Sequence, residues 1–186
     1  MSKQSVYDNG GYLGVTRELA TDYSGIWNLQ AVLEALSSVN YLTARYIKWE
    51  ITGKVSNSTV YCQISEFKLQ LDSVDISMSG ATASSSDSYV VSETPTQLID
   101  GSTTTKLNFD TLPTVSVTID MGTATNFNGY DWATGGDTAT YPERNPDDWN
   151  IYISNDGTNW TLVDTVTNAS ATTSNQTFTG PYTITV

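Results

Sequence analysis

A chain of 186 residues is long enough for one domain of ordinary size plus an appendage. Its net charge of −12, with only eight basic residues, leaves no basic footprint for nucleic acid and no attraction to an anionic membrane surface. The absence of histidine and the single cysteine exclude Ser-His-Asp and Cys-His catalysis, the usual zinc sites and any internal disulfide.

Charged residues make up only 15% of the chain, and five tryptophans and eleven tyrosines supply large side chains to bury, so the composition is that of a folded protein. Met1-Ser-Lys-Gln is followed by no apolar core, so no secretory signal is expected. No run approaches the roughly 20 apolar residues of a membrane span. Without a signal, the Asn-x-Ser/Thr triplets at Asn57, Asn159, Asn168 and Asn175 read as chance in a chain rich in these residues.

In chain order, residues 1 to about 24 read as an extended arm that buries little against itself. Residues 25 to 40 hold the one expected helix. Leu29, Val32, Leu33 and Leu36 form one apolar stripe, with Asn28 able to cap its start. Strands follow. Ile47, Trp49 and Ile51 alternate with Lys48, Glu50 and Thr52, and residues 53 to 59 read as a loop. Val60, Cys62 and Ile64 share one phase, which makes Cys62 a buried thiol, and Phe67, Leu69 and Leu71 share the other. The switch predicts a bulge near Ser65-Glu66. Residues 77 to 88 look irregular. Val115, Val117 and Ile119 predict a strand that turns at Asp120-Met-Gly, and Tyr130 and Trp132 start another. Residues 133 to 147 read as a long Gly/Asp/Pro loop. Trp149, Ile151 and Ile153 alternate into Asn155-Asp156-Gly157, a hairpin signal because glycine accepts positive φ at little steric cost. Trp160, Leu162 and Val163 begin the return strand. Tyr182, Ile184 and Val186 close the chain in alternation. Short strands with no interleaved helix predict an all-β, antiparallel sandwich. Its expected core is Trp49, Phe67, Val117, Ile119, Trp132, Trp149, Ile151, Ile153 and Trp160.

Several segments resemble known ones. Leu98-Ile-Asp-Gly-Ser-Thr-Thr-Thr105, Val117-Thr-Ile-Asp-Met-Gly122 and Ile153-Ser-Asn-Asp-Gly-Thr-Asn-Trp160 resemble motifs of the discoidin, or coagulation-factor type C, domains. Tyr130-Asp-Trp-Ala-Thr-Gly-Gly-Asp137 and Arg144-Asn-Pro-Asp-Asp-Trp149 resemble a bacterial and phage variant of the same family. Arg45-Tyr-Ile-Lys-Trp-Glu-Ile-Thr52 and Gln63-Ile-Ser-Glu-Phe-Lys-Leu69 resemble that family's last two strands, yet here they come first. The resemblance implies a jelly-roll sandwich of the galactose-binding type over residues 43–186, either circularly permuted or with a strand exchanged between subunits. Residues 1–42 would be an attachment segment. Tyr7-Asp-Asn-Gly-Gly-Tyr-Leu-Gly14 and Gly25-Ile-Trp-Asn-Leu-Gln30 resemble segments of tailed-phage virion proteins.

Two candidate sites follow. A carboxylate on the inward phase, Glu66, needs a cation or several donors. Asp100 opens a tight glycine turn that Thr105 can close. The family resemblance implies that Glu66, Asp100 and Thr105 hold a structural Ca²⁺; the alternative is a turn cap and a solvated glutamate. Tyr141, Arg144, Asn145 and Asp147 offer an aromatic platform with planar hydrogen-bonding groups, as sugar sites do. The alternative, preferred here, is that Arg144 pairs with Asp147 or Asp148 and pins the loop. Adjacent Asp147 and Asp148 face opposite sides of a strand, which argues against paired-carboxylate catalysis. The stripe Leu29, Val32, Leu33 and Leu36 either docks a partner, the reading preferred here, or covers the edge of the sandwich.

Together these features predict a non-enzymatic structural component of a phage virion, in a tail, fibre, baseplate or decoration. It would be assembled in the host cytoplasm, bound to other virion proteins and to copies of itself, and able to meet a host surface glycan. No nucleic acid and no membrane insertion are expected. The competing readings are a stand-alone lectin-like carbohydrate-binding module and, last, a glycan-active enzyme.

Overall fold

The alternation around Trp49 forms the central strand of the molecule. The structure, a computed structural model, describes residues 40–56, 58–111 and 114–185. The arm and the helix expected before Asn40 lie outside the described residues. The strands are β1 (Leu42–Lys54), β2 (Cys62–Ile64), β3 (Glu66–Leu71), β4 (Val74–Asp75), β5 (Thr82–Ser84), β6 (Leu107–Phe109), β7 (Val115–Phe127), β8 (Gly129–Ala133), β9 (Pro146–Ser154), β10 (Thr161–Val166) and β11 (Tyr182–Thr183). One sheet runs β10-β9-β1-β7-β5, the other β11-β8-β3-β4, and β2 pairs with β6 apart from both. Every pairing is antiparallel. This is the expected β-sandwich.

The core joins both ends of the described chain. Trp49 on β1 is fully buried, with ring centroids 5.4 Å from Phe67, 5.8 Å from Trp132 and 5.8 Å from Trp149. Tilted and edge-on rings at these separations attract through their quadrupoles beyond the area they bury. The Trp149 indole donates to the Tyr130 hydroxyl at 2.8 Å, which donates to Asp164 at 2.6 Å, so a polar thread crosses the interior with its donors used. Leu42 pairs with Phe127, and the Ile184 amide donates to the Asn128 carbonyl at 2.9 Å. The first and last strands therefore end at the same β7–β8 corner.

Six expectations are corrected. The phase switch at Ser65-Glu66 is not a bulge within one strand. The chain crosses there from β2, paired with β6, to β3, paired with β8, so consecutive residues from Cys62 to Phe67 are all buried. β7 does not turn at Asp120-Met-Gly. It continues to Phe127, with Gly122 at φ +77° in an outward bulge where the β1 register slips between Ala44 and Tyr46. Residues 77 to 88, expected to be irregular, contain β5. Val60 is 50% exposed, ahead of β2 rather than in phase with it. Trp160 leaves the core altogether. It ends the loop between β9 and β10, half-buried, with the Lys48 ammonium 4.8 Å from its ring. Ile153 is only partly buried at the core margin.

Candidate functional site

Local folding brings the three residues expected to bind a cation to one place. The Thr94 amide donates to the Gln97 side-chain oxygen (2.8 Å), and Pro95 fixes φ at the start of a 3-10 turn over Pro95–Ile99. That turn ends on Asp100. Gly101 then takes φ +80°, a conformation that a side chain would strain. Asp100 Oδ1 accepts the Ser102 amide at 2.9 Å, and Oδ2 accepts the Thr105 hydroxyl at 2.7 Å. The loop is thus closed by the pair that the sequence suggested.

Glu66 enters from the other side. The crossing at Ser65 turns it inward, where it is 2% exposed. The amides of Ser102 and Gly101 face its carboxylate, yet Oε2 is buried with no hydrogen-bond partner. Burial, and then the nearby Asp100 charge, push the Glu66 carboxyl up to about 7, against the pull of the two amides and Lys68. An orphaned buried acceptor is expensive unless something external satisfies it. The carboxylate lines a cleft of about 550 Å³ whose walls include Lys68, Asp75, Ile76, Met78 and Asp100. Among the described residues no three carboxylate, thiol or imidazole side chains converge. A hard cation held here would take Glu66 and Asp100 as charged ligands and draw its remaining oxygens from hydroxyls, carbonyls and solvent.

The second expected group is only partly assembled. Arg144 lies between two rings, 3.8 Å from the Tyr141 centroid and 5.0 Å from that of Tyr61. Tyr141 is 40% exposed and presents the outer ring of this stack. Arg144 does pin its loop, but its partner is Asp137 (3.2 Å), not Asp147 or Asp148. Asp137 also takes the Lys106 ammonium at 2.8 Å, and Lys106 donates onward to Gln63 at 2.9 Å. Gln63 donates to the Thr138 hydroxyl at 3.3 Å, and Thr138 to Asn145 at 3.2 Å. Asn145 is 1% exposed and its amide donates to the Thr172 carbonyl at 3.1 Å, so it serves the loop interior and offers nothing to solvent. Gly135 is required here, because a Cβ would stand 2.7 Å from the Gln63 amide carbon.

Asp147 stands apart from this stack. Its side chain accepts the Ser170 amide at 3.2 Å, as Asp148 accepts that of Asn168 at 2.8 Å. Both carboxylates brace residues 168–170. Cys62 is fully buried, as expected, and burial pushes its thiol up to about 12.

Tyr61, Gln63, Lys106 and Asp137 escaped the sequence reading. Tyr61 was legible in principle, because it is out of phase with Cys62 and Ile64 and must point away from them. Lys106 and Asp137 meet only through the fold, 31 positions apart.

Comparison with known families gives one match. The model of the F5/8 type C domain fits residues 80–185, more than half of the chain. No curated protein matches it.

Proposed function

The chain belongs to the F5/8 type C family, and on that footing we propose that it is a non-enzymatic binding module of a phage particle whose sandwich meets a glycan. The observation that carries the binding reading is the Tyr61–Arg144–Tyr141 stack, an exposed ring on a guanidinium that Asp137 holds in place. Such a rigid ring suits the apolar face of a sugar at little entropic cost. A glycan array probed with the full chain tests it. Binding that survives Tyr141→Ala would remove this site from the account. The virion assignment draws on the likeness of residues 7–14 and 25–30 to tailed-phage proteins, and its test is whether residues 1–39 crosslink to other proteins in purified particles.

Glu66, Asp100 and Thr105 are proposed to hold a structural Ca²⁺. The orphaned Glu66 oxygen beside Asp100 supports the assignment. The ion would supply positive charge at a buried carboxylate and tie β3 to the loop after Asp100; the chain's own part is to hold that carboxylate inward.

Residues 42–75 are proposed to be a circularly permuted end of the domain. They lie outside the matched segment, 80–185, yet include the central strand of its larger sheet. The meeting of Leu42 and Ile184 at one corner is the geometry that such a rearrangement needs.

A further inference from the structure

The outward face of the five-stranded sheet carries side chains that the loop site does not use. The register places Lys48 beside Tyr152, Glu50 beside Asn150, and Tyr46 in the next outward row of β1. Their inward neighbours Ile47, Trp49, Ile51 and Ile151 are at most 1% exposed, whereas these six-atom rings and polar groups keep part of their surface open. The Lys48 ammonium lies 4.5 Å from the Tyr152 centroid and 4.8 Å from that of Trp160, so one cation sits against both rings. Glu50 accepts the Tyr152 hydroxyl at 3.1 Å and the Asn150 amide at 3.3 Å, which fixes that ring and that amide from below.

Trp160 is the informative residue. Its position in the alternation would bury it, but the preceding loop holds it outward. Asp156 accepts the amides of Thr158 and Asn159, each at 2.8 Å, and the Asn159 side chain at 2.7 Å. These donors hold the Asp156 carboxyl well below its usual range. An indole held half-buried on the outer face by so ordered a loop forgoes the full burial that the core could have given it.

Charge narrows the partner. The molecule carries −12, and on this face Lys48 and Arg45 are matched by Glu50 and by Asp120, which Arg45 contacts at 2.8 Å, with the ionised Asp156 left over. A mildly acidic surface on an acidic protein repels a polyanion and leaves an uncharged ligand unopposed. The face is a sheet, not a cleft, and it offers aromatic rings interleaved with a fixed amide and a fixed carboxylate rather than a cluster of aliphatic residues. We propose that this face is a second binding surface, distinct from the Tyr141 loop, that takes an uncharged, extended polysaccharide chain. The rings of Tyr152 and Trp160 would carry the C–H faces of successive sugars, and Glu50, Asn150 and Lys48 would meet their hydroxyls.

The test uses the full chain with microcrystalline cellulose and soluble mixed-linkage β-glucan, and with the polyanion alginate as the charged comparison. Expected are retention on the neutral polymers, none on alginate, and about tenfold weaker binding in the Tyr152→Ala/Trp160→Ala double variant. Both rings are half-buried on the outer face, so circular dichroism should show the double variant still folded at the binding temperature, and Tyr141→Ala should bind these polymers as the parent does. Failure of the parent to bind either neutral polymer overturns the proposal. So does undiminished binding by the double variant, loss of binding on Tyr141→Ala alone, or sedimentation showing that the double substitution dissolves a self-associated form.

Discussion

Residues 42–75 and residues 80–185 contribute differently to one sandwich. The longer segment carries the family's features and most of the strands; the shorter one supplies a partner to every site. Trp49 meets Trp149, Glu66 faces Asp100, Tyr61 backs Arg144, and Lys48 lies against Tyr152 and Trp160. The difference teaches that chain order and spatial role are separable. A sheet needs its central strand, but not from a particular end of the chain.

The strongest way to break this comparison is to separate the segments. Residues 80–186 alone lack β1, which pairs with both β7 and β9. They are expected to show no cooperative thermal transition. Placing residues 40–79 after Val186 through a short Gly/Ser linker should restore a single transition and the tryptophan emission of the parent. A folded 80–186 fragment would refute the shared core.

A single side chain gives the next largest effect. Trp49→Ala removes a fully buried indole in contact with Phe67, Trp132 and Trp149, and should cost about 3–5 kcal/mol in denaturant unfolding. Trp160→Ala, which removes a half-buried indole against Lys48, should cost less, about 1–2 kcal/mol. Equal losses at the two positions would mean that the aromatic core is not where the alternation of β1 places it.

The contrast between these tryptophans measures what could be read in the sequence. A two-residue period reports which face a side chain takes, so Ile47, Trp49, Ile51, Trp149 and Ile151 were assigned correctly from alternation alone. The period carries no information once the chain leaves a regular strand. Trp160 ends a six-residue loop that resets its direction, and Glu66 follows a crossing between sheets that leaves consecutive residues buried. The Asp100–Thr105 closure was legible because its partners are five positions apart, within one turn. The partner of Arg144 was not: Asp147 and Asp148 are nearer to it in sequence, and only the path of the loop brings Asp137, seven positions back, to the guanidinium instead.

The cation site straddles both segments, so it tests the comparison energetically. If calcium binds the folded chain alone, a concentration one hundred times its dissociation constant adds about 2.7 kcal/mol. For a domain of this size that raises the melting midpoint by several degrees, at about 2–4 °C per kcal/mol. Glu66→Gln and Asp100→Ala should each abolish the rise. Without calcium, Glu66→Gln should not destabilise, since it replaces a buried, half-satisfied charge with a neutral group of the same shape. An unchanged midpoint in calcium and in chelator would leave Glu66 as an uncompensated cost of the β2–β3 crossing.

The smallest effects separate the two meanings of the Arg144 loop. Asp137 holds two cations, Arg144 and Lys106, that are 17% and 15% exposed; Lys106 keeps Gln63 and, at 3.6 Å, Glu93 when Asp137 is lost, so Asp137→Ala strands Arg144 and should cost about 1–3 kcal/mol. Tyr141 only covers the guanidinium from outside, and Tyr141→Ala should stay within about 0.5 kcal/mol of the parent. A loop built purely for its own rigidity predicts that the second variant behaves as the parent in every assay. A loop built for a ligand predicts normal melting together with loss of glycan binding, because the ring would then be kept for what it touches outside the chain.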